Sequence, residues 1–150
     1  MRPDEQDLSG DVGGDSLVDQ LRVLQDSGLI HVEVAWQDHQ GWPALIRRLR
    51  DTCPELVIGA ASVVEQTVLD VLVDLDLSYA MSPCLDPVLL DQAHQRGILL
   101  VPGVFSPTEV MQAIRCGCRL VKLLPAATLG CRYWSRLLAP LGERPAVIAA

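Results

Sequence analysis

The chain has 150 residues, 49% of them hydrophobic and 21% charged, with only 4% aromatic. That is enough for one domain with a sizeable aliphatic core; it excludes a disordered chain and suits parallel strands covered by helices. Twelve basic against nineteen acidic residues give a formal net charge of −7, which argues against a phosphate-backbone partner and predicts no nucleic-acid binding. Neither an apolar signal core behind Met1 nor a run of 18 apolar residues occurs, so the expectation is a cytoplasmic chain with no membrane span.

Residues 1–14 hold four acids and the glycines Gly10, Gly13 and Gly14, with no apolar period, so residues 1–15 read as a flexible lead-in to a domain over 16–150. From Ser16 the pattern becomes helical through Leu17, Leu21 and Leu24, closed at Gly28, and residues 31–36 follow as a short strand. A helix over 42–50, with Pro43 in its first turn, precedes a strand over 56–61; a helix over 64–73 precedes a strand over 77–81. Asp86-Pro87 opens a helix that Gly97 stops, and residues 98–101 are the next strand. Ser106-Pro107-Thr108-Glu109 combines an N-cap, a proline at the first helical position and a capping-box glutamate. That helix ends at Gly117 before a strand over 119–124, and a last helix over 131–139 precedes a strand over 146–150. Steps of roughly 21 to 27 residues between strand starts are the length of one strand, one crossover helix and two short loops. The chain is a βα array, and spacing alone does not choose between an open doubly wound sheet and a barrel.

The five cysteines, Cys53, Cys84, Cys116, Cys118 and Cys131, are odd in number and irregularly spaced. Neither a disulfide framework nor a zinc site is expected from them.

Two residues break the apolar strands. Lys122 lies in Arg119-Leu120-Val121-Lys122-Leu123-Leu124, where an ammonium group has no cheap place. Desolvation favours the neutral amine, and a neutral amine is what attack on a ketone to form a Schiff base requires; the bland alternative is a stem that snorkels to the strand end. Glu33, in His31-Val32-Glu33-Val34-Ala35-Trp36, is a carboxylate among β-branched neighbours. It is either a proton-transfer partner of Lys122 or half of a structural ion pair. His31 and Glu33 share a strand face and could supply two metal ligands, but His39 and His94 do not obviously converge on them. Gly59-Ala60-Ala61-Ser62, Ser82-Pro83-Cys84 and Pro102-Gly103-Val104 put small residues at the C-terminal ends of three successive strands. That is the face on which α/β and barrel enzymes bind substrates.

Taken in order, Val32-Glu33-Val34, Gly59-Ala60-Ala61-Ser62-Val63, Met81-Ser82-Pro83, Val101-Pro102-Gly103-Val104, Ser106-Pro107-Thr108-Glu109-Val110 and Val121-Lys122-Leu123-Leu124-Pro125-Ala126 resemble the class I aldolases that cleave 2-keto-3-deoxy-6-phosphogluconate and 4-hydroxy-2-oxoglutarate. The resemblance implies an α/β fold of the (β/α)8 TIM-barrel type, usually trimeric, so a homo-oligomer is expected. It also implies a small 2-keto acid substrate, and neither metal nor cofactor. Lys122 would form the Schiff base with pyruvate and Glu33 would be the general acid/base. Ser62 would stand near the pyruvate carboxylate, where the family commonly has threonine, and Pro83 would line the pocket. Gln37 takes the place of a family arginine on the substrate carboxylate, keeping hydrogen bonding without the charge or the bidentate fork. Leu124 stands where an aromatic often lies.

At 150 residues the chain is short of the roughly 250 of a complete barrel. The family's first strand would fall near residues 5–12, which do not read as a strand, and Ala150 falls within the seventh. The expectation is therefore an incomplete barrel holding strands two to seven, truncated or closed by another chain, with residues 31–36 and 146–150 as its edges. A catalytically impaired fragment with a binding or assembly role, and a metal-dependent aldolase or phosphosugar isomerase on a similar barrel, are the competing readings.

Overall fold

The computed structural model describes residues 1–10, 17–130, 132–142 and 145–150. Its helices are α1 (Glu5–Ser9), α2 (Leu17–Asp26), α3 (Trp42–Thr52), α4 (Gln66–Asp74), α5 (Pro87–Gln95), α6 (Pro107–Arg115), α7 (Ala126–Leu129) and α8 (Tyr133–Leu138). Its strands are β1 (His31–Ala35), β2 (Val57–Ala61), β3 (Tyr79–Met81), β4 (Leu99–Val101), β5 (Gly103–Val104), β6 (Leu120–Leu123) and β7 (Ala146–Ala149). All strand pairs are parallel, in the orders β1-β2-β3-β4 and β5-β6-β7. The two sheets meet at Pro102. Proline has no N–H to give the ladder, so the strand is interrupted there, yet the Pro102 carbonyl still accepts from Lys122 N at 2.9 Å. The result is a single arc of six strand positions with β1 and β7 at its ends, an incomplete (β/α) barrel.

Successive residues of a strand point to opposite faces. Val32, Val34, Ile58, Ala60, Ala80 and Leu100 turn outward into one apolar cluster with Trp42, Ile46, Leu49, Leu69, Leu72 and Leu89 from the helices. A second cluster joins Val104 and Val121 to Val110, Ala113, Leu137 and Leu138. With Ile46 and Leu49 fully buried, truncating either to alanine would cost about 2–5 kcal/mol. Trp42 is also fully buried, and its indole N–H donates to the Ala35 carbonyl at 2.9 Å, which pins the start of α3 to the C-terminal end of β1. The capping box expected at α6 is present: Ser106 Oγ accepts from Glu109 N at 3.3 Å, while Glu109 Oε2 accepts from Ser106 N at 2.7 Å and from Phe105 N at 2.8 Å. Asp86 caps α5 from one side only, accepting from Val88 N at 2.8 Å and Leu89 N at 3.3 Å.

The N-terminal segment differs from the expectation. Within the lead-in expected to be flexible, Glu5–Ser9 form a short helix. It is started by a reciprocal Asp4/Asp7 box at 2.9 and 3.0 Å and held by the burial of Leu8. One buried leucine gives no period to detect, and aspartate replaces the glutamate that marks such boxes in sequence. Nor do residues 5–9 take the place of a first strand. Met1 bonds to β1 instead: its amine donates to the Glu33 carbonyl and its carbonyl accepts from Ala35 N at 2.7 Å, in the pattern of a parallel pair at the free edge of β1. Residues 11–15 of the expected lead-in, the Ser16 helix start, and Cys131 lie outside the described residues. The short α7 was not expected from the sequence. Among the described residues no helix is long and apolar enough to cross a membrane.

Candidate active site

Lys122 sits on β6 between Val121 and Leu123, which are 0% and 4% exposed in the outer core. Alternation therefore sends Lys122 to the interior. The same logic sends Glu33 inward from between Val32 and Val34 on β1. Across the arc, and 89 residues apart in sequence, Lys122 Nζ donates to Glu33 Oε1 at 2.7 Å. The two side chains are 12% and 28% exposed, so the bond is a charge-assisted one shielded from bulk water. Glu33 Oε2 is buried and has no protein hydrogen-bond partner among the described residues. A carboxylate with one oxygen on an amine and the other free can take a proton from the amine and pass it to a third group entering beside it.

The other candidates lie on the C-terminal side of the strands. Ser62, immediately after β2, is half-buried and has φ of 61°, a left-handed conformation that costs a non-glycine residue on the order of 1 kcal/mol or more and recurs at ligand sites. Pro83 is exposed after β3, and its carbonyl packs directly on Gly103. A Cβ at Gly103 would lie 2.2 Å from Pro83 O, and Gly103 is the register partner of Lys122. The missing side chain thus brings the Pro83 loop beside the lysine strand, which the sequence signalled only as a small-residue turn. Gln37 Nε2 donates to the Pro3 carbonyl at 2.6 Å, so one of its two amide hydrogens is engaged by the N-terminal segment.

Tyr79 escaped the sequence reading. It is 9% exposed, and its hydroxyl donates to Val32 O at 2.7 Å, with Val57 O 3.1 Å away. Burial, reinforced by the nearby negative charge of Glu33 and opposed by backbone hydrogen bonds at Gly59 and Val32, pushes its phenol up to about 12. The available signal was a lone aromatic in an aliphatic strand, one strand over from a mid-strand glycine. His31 meets the Tyr79 ring edge-on, with centroids 5.9 Å apart. His39 Nδ1 accepts from Gly41 N at 3.0 Å on the surface. Among the described residues no three His, Cys, Asp or Glu side chains gather as a metal cluster. Cys53, Cys84, Cys116 and Cys118 are free thiols. A groove of about 960 Å³ lined by Leu90, His94, Cys116 and Cys118 opens at the N-terminal ends of β4 and β6, the end opposite Ser62 and Pro83, and is separate from the Lys122 site.

A parallel β/α arc with a lysine–carboxylate pair inside it defines a barrel-type protein with an amine centre. The family described as KDPG and KHG aldolase matches residues 13–143, and the chain belongs to that family. It is 35% identical over 108 residues to the 2-dehydro-3-deoxy-phosphogluconate aldolase of Pseudomonas aeruginosa, covering 72% of this chain and 49% of that protein. To the enzyme of the same name from Treponema pallidum it is 27% identical over 109 residues, 73% of this chain and 51% of that one. The fold matches a KDPG aldolase from Legionella pneumophila, solved with pyruvate captured at low pH as a covalent carbinolamine intermediate, with a TM-score of 0.79, 21% identity, and coverage of 100% of this chain and 68% of that one. The chain spans about half the length of the curated relatives it matches.

Proposed function

We propose that the chain carries the Schiff-base centre of a class I aldolase, a carbon–carbon lyase that releases pyruvate from 2-keto-3-deoxy-6-phosphogluconate or 4-hydroxy-2-oxoglutarate. One observation carries this reading: an interior lysine amine 2.7 Å from a carboxylate whose second oxygen is buried and unpartnered. The family and the names of its curated relatives support the substrate class.

In this reading Glu33 takes a proton from the Lys122 ammonium, and the amine lone pair attacks the ketone carbon of the substrate. A proton passes from the nitrogen to the new alkoxide to give the carbinolamine, and Glu33 then returns its proton to that hydroxyl, which leaves as water and gives the protonated imine. A carboxylate oxygen then removes the proton of the C4 hydroxyl. The C3–C4 bond breaks, its electron pair moves into the iminium to form an enamine, and the aldehyde departs. Protonation of the enamine carbon and addition of water release pyruvate and restore Lys122. Ser62 and the Pro83 loop bound the space at the strand ends where the keto acid sits. A homo-oligomer is the assembly expected of the whole protein.

The test is borohydride reduction in the presence of saturating pyruvate, read by mass spectrometry. The expected product is a single adduct on Lys122, absent from Lys122→Arg, because a guanidinium is not a neutral amine near neutral pH. No adduct on the unmodified chain would leave the competing reading, a barrel fragment with a binding or assembly role.

A further inference from the structure

Tyr79 opens β3, yet its hydroxyl is bonded to β1, two strands away. The intervening strand β2 permits this at one position only. A Cβ on Gly59 would lie 2.4 Å from Cε2 and Cζ of the Tyr79 ring, a distance that no real contact tolerates. Because residue 59 has no side chain, the ring lies across β2 and its hydroxyl reaches Val32 O at 2.7 Å. Val32 is the residue before Glu33, and Gly59 is the register partner of Glu33. The ring and its hydrogen bond therefore lie at the strand position that presents the carboxylate to Lys122.

Packing alone does not require the hydroxyl. A phenylalanine would fill the same space above Gly59, and a phenol buried to this degree costs free energy unless it is bonded. Its shorter bond, at 2.7 Å, passes the Val57 carbonyl of the neighbouring β2, 3.1 Å away, to reach β1, which ends its sheet. We propose that Tyr79 is a positioning residue for Glu33: laid over Gly59 and bonded to the Val32 carbonyl, it holds β1 at the separation from β6 at which the carboxylate exchanges a proton with Lys122. This rests on the Schiff-base reading above. Proton transfer needs the 2.7 Å contact to persist while bonds change, and a shift of about 1 Å in such a pair can cost about 100-fold in rate.

The experiment follows imine formation on the 150-residue chain by quenching with borohydride at a series of pyruvate concentrations. Tyr79→Phe keeps the ring and deletes the hydroxyl. The expected result is a fall of about 10- to 100-fold in the saturating rate of adduct formation, with the half-saturating pyruvate concentration unchanged and a cooperative thermal transition retained. A residue that only supports the fold would lower the yield of active protein without changing the rate per active site. Gly59→Ala displaces the ring instead of deleting the hydroxyl, and gives the same measurement should Tyr79→Phe melt below the assay temperature. Adduct formation at the unmodified rate in a folded variant overturns the positioning role and leaves Lys122 as nucleophile. Absence of any adduct on the unmodified chain overturns the Schiff-base reading itself, and this proposal with it.

Discussion

Replacing Glu33 with glutamine removes one negative charge and almost no volume, so its effects report on the pair with Lys122. The ammonium at 2.7 Å loses its counter-charge while remaining 12% exposed. Breaking a fully buried pair from one side costs about 3–5 kcal/mol. Glu33 is 28% exposed, so water recovers part of that loss, and about 1–3 kcal/mol is the expected destabilisation. Lys122→Met should cost a similar amount by leaving both carboxylate oxygens without a partner, one of which is unsatisfied already. The double variant Glu33→Gln/Lys122→Met should then be more stable than the sum of the two losses predicts, by about 1 kcal/mol or more. The assay is urea unfolding of the four proteins followed by circular dichroism. In the same Glu33→Gln protein, trapping of pyruvate on Lys122 should slow by about 10²- to 10⁴-fold without disappearing, since the nucleophile remains and only the proton carrier is lost. Strict additivity in the unfolding cycle together with an unchanged trapping rate would show that the contact is incidental and that Glu33 has no part in the chemistry.

Two further outcomes concern the fold. The Tyr79 phenol is raised from an ordinary value near 10 to about 12, so the folded state favours its neutral form. Its contribution to stability is fully present below pH 10 and is lost as pH rises toward 12; unfolding free energy measured across that window should fall more steeply for the unmodified chain than for Tyr79→Phe, and parallel curves would refute the assignment. Burial raises Glu109, but hydrogen bonds from Phe105 N–H, the Ser106 hydroxyl and Ser106 N–H outweigh it, so its carboxyl is lowered overall. The α6 cap should therefore be intact above the ordinary glutamate range and weaken as pH falls through the lowered value; Ser106→Ala should cost about 0.5–2 kcal/mol at neutral pH, and a loss near zero in thermal melts would refute the capping role.

Much of the fold could be read from the chain itself because its signals are local. The capping box at Ser106 and Glu109, the prolines opening α3, α5 and α6, and glycines such as Gly97 and Gly117 stopping helices depend only on neighbouring residues and backbone conformation. The apolar runs of β2 and β6 likewise announce strands covered by helices. Lys122 and Glu33 stood out as charges that such strands cannot house cheaply, so the two members of the candidate site were legible as anomalies in composition. Their meeting was not, because 89 residues separate them and only the curvature of the arc brings β6 opposite β1. The same holds for the N-terminal segment, where Met1 pairs along β1 and Pro3 takes the amide of Gln37; no local pattern encodes a partner more than thirty residues away. Gly59 and Tyr79 show the division most clearly. Each residue alone reads as a small-residue turn or a strand aromatic, and the roles emerge only when parallel register sets a ring from β3 against the one position on β2 that has no side chain to meet it. Residue type and local spacing thus determined the elements and nominated the candidate groups. Which groups touch was decided by tertiary packing, because contact between strands depends on register and curvature, and these are properties of the whole arc and not of any single segment.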